Sequence, residues 1–208
     1  MSRISITGFH TCKPGGGASY LLEEGPFLSK DNDRQWLTQG YYFWTDSDYF
    51  AHKWGEDGYG GDYAIMRCQV RLDSNLLLDL VGSVVSQQSF LRLVQKFQSH
   101  LRKVNRDEAA NATVSDCIAY YRKMEERVNG VFPYSAIKAQ DSRDFGNEIK
   151  FINGSQDKLS LAVSRQQLCL FKRAVESIGD KAIVYPETLS EDSDRIARAR
   201  AEQGGDDD

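Results

Sequence analysis

Two amphipathic helix patterns in the middle of the chain, with strand patterns before and after them, constrain the fold more than any other feature. Apolar residues recur at steps of three and four within residues 90–104 and again within residues 114–128. This spacing is typical of a helix that buries one face. Thr113, with Asp116 three residues later, resembles a capping box at the start of the second helix. The pattern predicts a helical segment over about residues 84–129.

Strand patterns lie on both sides of this helical segment. They cover residues 4–9, 41–44 and 63–72 before it, and residues 148–152, 159–163 and 168–171 after it. Strands, then helices, then strands predict an α+β fold. We expect the two helices to pack on one face of the sheet.

The C-terminal segment of the chain carries few apolar residues. Residues 186–208 are mostly Asp, Glu, Arg, Ser and Gly, a composition that buries too little apolar surface to order a chain. We therefore predict a polar, disordered tail after a single domain over residues 1–185, which is an ordinary domain length. The N-terminus has no apolar signal segment, and no apolar run approaches the roughly 20 residues of a membrane span. We expect a cytoplasmic protein without a membrane partner.

Charge and cysteine usage do not favour two classes of site. The chain has 26 Lys and Arg against 30 Asp and Glu, a net charge of −4, which gives no support to a broad phosphate-binding face. The four cysteines are widely spaced, without a CxxC pair or a nearby His, so no metal site is expected. Three of them, Cys68, Cys117 and Cys169, lie among apolar residues and are predicted to be reduced core residues.

Catalytic chemistry is restricted by the small number of histidines. His10 ends the first predicted strand, next to the glycine-rich residues 14–17, where a side chain can face a cleft. His52 and His100 lie in predicted helices beside charged residues and are expected to be solvated. There is no GxSxG motif, and Cys12 would point away from His10 if the strand continues, so a serine or thiol hydrolase is not favoured.

Two short runs point to a known family. The first is Phe9-His10-Thr11 on the first strand, and the second is Gly40-Tyr41-Tyr42-Phe43-Trp44, followed by a helix that carries Ala51 and Trp54. Together they resemble the ADP-ribosyltransferase superfamily, in its diphtheria-toxin-like and poly(ADP-ribose) polymerase-like branch. The resemblance covers about residues 4–175 and implies a split antiparallel β-sheet core with an α-helical insertion.

The resemblance also implies an NAD site. His10 would hydrogen-bond the adenosine ribose, and Tyr42, the second residue after Gly40, would stack on the nicotinamide ring. Thr11 and Gly40 belong to the same two cofactor-binding runs. Offset stacking suits a planar heteroaromatic leaving group. The alternative interpretation of the second run is an ordinary aromatic strand in which Phe43 is also buried.

The candidate catalytic carboxylate is Glu148. The run Asn147-Glu148-Ile149-Lys150-Phe151 resembles a stretch of the polymerase-like enzymes, and Gln156 follows Glu148 by eight residues, as a Gln does in that family. Cleavage of the nicotinamide–ribose bond passes through an oxocarbenium-like state, which a carboxylate beside the ribose can stabilise. Gly146 stands where the arginine-modifying enzymes carry Gln or Glu, so their pattern is absent.

A different final strand would move the position of the acid. If that strand is residues 168–171, with Gln166-Gln167 at its start, the acid position falls towards Asn153, which has no carboxylate. The protein would then be inactive or use another group, and the remaining candidate acids are Asp141, Asp144 and Asp157.

The implied function is that of an NAD-dependent mono-ADP-ribosyltransferase. Such an enzyme uses NAD as co-substrate, without a metal, and transfers ADP-ribose to a macromolecular acceptor, either protein or nucleic acid. The small format resembles bacterial toxins of toxin–antitoxin or phage-defence systems, which would add a cognate antitoxin as partner. The alternatives are an NAD glycohydrolase, a non-catalytic ligand- or partner-binding domain on the same fold, and an RNA 2′-phosphotransferase, for which we find no suitable set of basic residues.

Overall fold

A mixed β-sheet covered by helices on both faces forms the centre of the computed structural model, which describes residues 2–32, 35–104, 106–141, 147–154, 156–161 and 164–203. The strands are β1 (Arg3–Cys12), β2 (Tyr41–Thr45), β3 (Ala64–Asp73), β4 (Leu77–Asp79), β5 (Ala136–Asp141), β6 (Asn147–Lys150), β7 (Lys158–Leu161), β8 (Arg165–Leu170) and β9 (Ile178–Tyr185). The helices are α1 (Gly17–Glu24), α2 (Tyr49–Tyr59), α3 (Val84–Val104), α4 (Arg106–Asn111), α5 (Val114–Glu125) and α6 (Glu187–Gln203).

The main sheet has seven strands in the order β4-β5-β8-β2-β1-β3-β9. The edge pair β4–β5 is parallel, and the other neighbours are antiparallel. Strands β6 and β7 pair with each other in a separate two-stranded sheet. The arrangement confirms the predicted α+β class, and it puts β1 and β2 near the middle of the main sheet.

Each face of the main sheet has its own apolar core, because alternate residues of a strand point to opposite faces. On one face Phe43, Leu168 and Met66 pack with residues of α1, and half-buried residues of α6 pack against the same cluster. On the other face Ile137 and Cys169 pack with α3 and α5. The prediction that these two helices share one face of the sheet is confirmed.

The predicted helical segment consists of α3, α4 and α5. Its capping box is present: Asp116 N donates to Thr113 Oγ1 at 3.1 Å, and Thr113 N donates to Asp116 Oδ2 at 2.8 Å. The four cysteines are all unpaired and buried, so the predicted core role of Cys68, Cys117 and Cys169 is confirmed. None of the described helices is long and apolar enough to cross a membrane.

The predicted disorder of residues 186–208 is wrong for the part that forms α6. This helix packs against the sheet through a narrow stripe, in which Leu189 and Ile196 are half-buried and Ser193 is buried. Ser193 Oγ accepts a hydrogen bond from Ile183 N of β9 at 3.1 Å. Because the stripe has only two large apolar residues and a serine, overall composition does not reveal it. Residues 204–208 lie outside the described residues.

Candidate functional site

The candidate site lies where β1 and β2 separate in the middle of the main sheet. The two strands pair at Gly8–Thr45 and Phe9–Trp44, and their pairing ends there although β1 continues to Cys12. His10 Nδ1 lies 2.9 Å from the carbonyl oxygen of Tyr42. The His10 imidazole thus takes the place of a backbone N–H as the partner of the Tyr42 carbonyl, and it links β1 to β2 beyond the last backbone pair.

His10 is buried, with 7% of its surface exposed, rather than open to a cleft. Phe27 N donates to His10 Nε2 at 3.2 Å, so the ring proton belongs on Nδ1, which donates to the Tyr42 carbonyl. The rings of Phe27 and Phe43 lie 6.3 and 5.9 Å from the imidazole, centroid to centroid. Burial lowers the pKa of His10 below its ordinary value, and the bond to Tyr42 opposes part of that shift. A ligand can reach Nε2 only if the Phe27 amide moves away.

The lowered pKa of His10 predicts a loss of stability in mild acid. The unfolded chain takes up a proton on this residue below about pH 6.5, whereas the folded protein resists it. The free energy of unfolding should therefore fall as pH drops below that value, by at most about 1.4 kcal/mol per pH unit from this group. Urea unfolding between about pH 5 and 7 should show a shallower slope for His10→Gln than for wild type. Equal slopes would contradict the assignment.

Tyr42 points to the opposite face of the sheet from His10. Its hydroxyl donates to the Thr38 carbonyl at 2.7 Å and accepts from Leu37 N at 3.1 Å. Burial raises the pKa of Tyr42, so the hydroxyl stays protonated and acts as a donor. The ring is half-buried against the core that contains Cys169. His10 and Tyr42 therefore meet through the Tyr42 backbone, and a ligand that contacted both rings would have to pass between the separated strands.

Arg122 of α5 holds the segment that precedes β2, and our sequence analysis did not identify it. Its Nη1 donates to the Gln39 carbonyl at 2.9 Å and also bonds the Thr38 hydroxyl. The guanidinium carbon lies 4.0 Å from the centroid of the Phe171 ring. A usable signal was present in the sequence, since Arg122 follows the buried Ile118 by four residues and so lies on the packed side of its helix.

Replacing Arg122 with methionine should destabilise the protein. Methionine can keep apolar contact with Phe171, but it leaves the Gln39 carbonyl and the Thr38 hydroxyl without their charged donor. We expect the free energy of unfolding to fall by about 2 kcal/mol, measured by urea denaturation. Lys123→Met, at the exposed neighbouring position, is the matched control and should change it by less than about 0.5 kcal/mol. Equal effects of the two variants would contradict this role.

Gly40 and Thr11 have structural contacts next to the separated strands. A Cβ on Gly40 would lie 2.7 Å from the Leu170 carbonyl oxygen and would also overlap Cys169 Sγ. Glycine is therefore required where the chain enters β2. Thr11 is buried, and its hydroxyl donates to the Ala51 carbonyl at 2.9 Å, which ties β1 to α2.

Glu148 lies on β6, opposite Ser160 of β7, and this pair of strands is separate from the main sheet. Its side chain lies outside the described residues, as does the whole of Asp144. The strand beside β2 is β8, in which Gln167 pairs with Trp44. Gln166 and Gln167, which the sequence alternative put at the start of the final strand, thus lie in the strand that pairs with Tyr42, although β8 begins at Arg165 and β9 follows it along the chain.

Asp141, the last residue of β5, forms an ion pair with Arg165, the first residue of β8. Arg165 Nε donates to Asp141 Oδ1 at 2.7 Å, and a second bond joins Arg165 Nη2 to Asp141 Oδ2. Among the residues that the structure describes, no three His, Cys, Asp or Glu side chains are grouped so that they would hold a metal ion.

Comparison of the chain with protein-family models, with curated proteins and with solved structures finds no match.

Proposed function

We propose that the protein is an NAD-dependent mono-ADP-ribosyltransferase that binds NAD where β1 and β2 separate. The observation that carries this proposal is the contact of His10 with Tyr42, residues 32 positions apart in sequence, at 2.9 Å and at the end of the β1–β2 pairing. The two runs that carry the family resemblance thus lie side by side. The separation of two central strands in a largely antiparallel sheet is also compatible with the split core that the resemblance implies.

The residues at this position offer suitable chemistry for NAD. A neutral imidazole can exchange hydrogen bonds with ribose hydroxyls, and His10 Nε2 becomes available when the Phe27 amide leaves it. The Tyr42 ring offers an aromatic face for nicotinamide. We assign to Glu148, carried on β6, the carboxylate that holds the ribose 2′-hydroxyl and stabilises the positive charge that develops as nicotinamide departs. The proposed acceptor is a protein or nucleic acid, and the proposed cellular partner is an antitoxin.

Labelled NAD incubated with the purified protein and a cell extract tests this function. Label on protein or on nucleic acid would support a transferase and identify the class of acceptor. Release of free ADP-ribose alone would indicate an NAD glycohydrolase. If NAD is neither bound nor consumed, the proposed function is wrong.

A second candidate is a non-catalytic NAD-binding domain on the same fold. It is favoured by one observation. In β8, the strand that pairs with Tyr42, Arg165 is followed by Gln166 and Gln167, and none of these three residues carries a carboxylate. Binding of NAD without turnover, measured by calorimetry together with release of nicotinamide, distinguishes this candidate from the enzyme.

The ring and the hydroxyl of Tyr42 should have separable effects. Tyr42→Phe keeps the ring but leaves Leu37 N without its acceptor, so we expect about 1–2 kcal/mol less stability and nearly unchanged NAD affinity. Tyr42→Leu also removes the stacking surface and should weaken NAD binding by about five- to tenfold. Tyr41→Leu, on the opposite face of the same strand, is the control and should act on stability alone. NAD affinities that are equal for all three variants would remove Tyr42 from the site.

A further inference from the structure

Two buried oxygen atoms near the candidate site lack a hydrogen-bond partner among the residues that the structure describes. They are Thr45 Oγ1 at the end of β2 and Gln166 Oε1 near the start of β8. Thr45 is only 6% exposed. A third such atom, Gln35 Oε1, belongs to the segment before β2. Buried polar atoms are almost always paired in folded proteins, so an unpaired one calls for an explanation.

Thr45 and Gln166 are neighbours across the sheet. Trp44 pairs with Gln167, and in an antiparallel pair the next residues along, Thr45 and Gln166, then lie opposite each other with their side chains on one face. On its other side Thr45 is paired with Gly8 of β1. The two oxygens therefore belong to one row of residues that crosses β1, β2 and β8, and Gly8 contributes no side chain to it.

This row lies on the same face of the sheet as His10. The side chains of Thr45 and Phe43, two residues apart on β2, share a face. The Phe43 ring lies 5.9 Å from the His10 imidazole, centroid to centroid, and a Cβ on Gly8 would meet Phe43 Cβ at 2.7 Å. The row of Thr45 and Gln166 is thus one step along the strands from His10, whereas the Tyr42 ring lies on the opposite face.

The row leads to solvent at one edge. Gln140 of β5 pairs with Gln166 and is exposed. Side-chain polarity is therefore continuous from the protein surface at Gln140, through the partly buried Gln166, to the buried Thr45. Because both oxygens are enclosed by protein, a polar group of a ligand that enters from this edge has to displace the side chains that cover them.

The chemistry of the two oxygens limits what they can bind. A carboxamide oxygen only accepts hydrogen bonds, and a threonine hydroxyl both donates and accepts. Phosphate and carboxylate oxygens are acceptors and cannot bond Gln166 Oε1, so the bound group must bring a donor. Adjacent sugar hydroxyls supply a donor to Gln166 and either role to Thr45. A nicotinamide amide could do the same, but a nicotinamide stacked on Tyr42 would lie on the other face.

We propose that Thr45 and Gln166 bind the hydroxyl groups of a ribose of NAD, on the face of the sheet that carries His10. This inference rests on the proposed function and extends it, since it adds two binding residues that neither the sequence pattern nor the family resemblance assigns. It also assigns Gln166 a role in ligand binding, which differs from the role of a catalytic carboxylate.

The test measures ligand affinity and thermal stability in the same variants. Thr45→Val and Gln166→Leu should each weaken the binding of NAD and of ADP-ribose by about tenfold, the effect of losing one good hydrogen bond. Their unliganded melting temperatures should be unchanged or higher, because an unpaired buried oxygen is replaced by an apolar group. Thr45→Ser keeps the hydroxyl and should bind NAD like wild type.

Thr7→Val is the matched control on β1. Thr7 Oγ1 accepts a hydrogen bond from Gln69 Nε2 at 2.8 Å, so this variant should lower the melting temperature and leave NAD affinity unchanged. The inference requires that Thr45→Val weakens NAD binding without lowering the melting temperature, and that Thr7→Val lowers the melting temperature without weakening NAD binding.

Four results would count against the inference, and they separate it from the proposed function. If wild type binds NAD and both variants bind it equally well, the inference is wrong and the proposed function stands. The inference is also wrong, and the proposed function stands, if the variants weaken the binding of free nicotinamide but not the binding of ADP-ribose. A clear fall in the unliganded melting temperature of both variants would mean that the oxygens have partners within the protein, which also overturns it. If wild type binds neither NAD nor ADP-ribose, the proposed function itself fails.

Discussion

Replacing Glu148 with glutamine is expected to lower NAD turnover by at least about a hundredfold, the effect of removing one preorganised electrostatic group. Glutamine keeps the size of the side chain and can still hydrogen-bond a ribose hydroxyl, so the dissociation constant of NAD should hardly change. Only the negative charge that stabilises the departing state is lost. Nicotinamide release under single-turnover conditions, together with calorimetric NAD binding, measures both quantities.

Lys150→Gln provides a matched control for this experiment, because it introduces the same residue at an exposed position of the same strand. It should leave turnover and binding unchanged. If Glu148 is only a polar residue of β6, its replacement should shift stability by no more than about 0.5 kcal/mol and leave turnover equal to that of wild type. The carboxylate would then have to be sought at Asp141, Asp144 or Asp157, of which Asp141 is already bonded to Arg165.

Replacing Gly40 with alanine should lower the free energy of unfolding by about 3 kcal/mol, at the upper end of the cost of overpacking. The added methyl group would meet the Leu170 carbonyl oxygen at 2.7 Å and would overlap Cys169 Sγ. The backbone carbonyl cannot move without disturbing the pairing of β2 with β8. Chemical denaturation followed by circular dichroism measures the loss.

Gly15→Ala is the control for this substitution, since a Cβ at Gly15 has no atom of the described structure within 4 Å. It should change stability by less than about 0.5 kcal/mol. A Gly40→Ala variant as stable as Gly15→Ala would show that β2 and β8 can separate locally at no cost, contrary to the packing described above.

Elements with a regular pattern could be predicted from the sequence, and those held by partners distant along the chain could not. Helices α3 and α5 and strands β1 and β3 have clear periodicity, strand β2 is an aromatic run, and all were predicted. Strand β5 was missed because only its first two residues are buried and most of the others are polar. Strand β9 was missed because Gly179 and Asp180 interrupt it, the latter with a φ of 44°, and its pairing with β3 is irregular.

The candidate site shows the same division. Local runs identified His10 and Tyr42, and these residues do lie together. Their surroundings depend on distant contacts: the Phe27 amide closes over His10, and Arg122 reaches the segment before Tyr42 from 83 residues away. Helix spacing places Arg122 on the packed side of α5, but no local pattern specifies the distant partner in such contacts. The separate placement of β6 likewise depends on pairing with β7 alone, which a resemblance around Glu148 does not specify.

The hydrogen bond from the Phe27 amide to His10 Nε2 sets a thermodynamic cost on ligand binding at that nitrogen. A ligand that uses Nε2 binds only the fraction of molecules in which this bond is open, and its apparent dissociation constant is the intrinsic one divided by that fraction. The measured affinity therefore understates how well the open form complements its ligand. It follows that a change which weakens closure by the segment around Phe27, without touching His10, would make binding tighter, so the resting affinity of the protein is adjustable from outside the site.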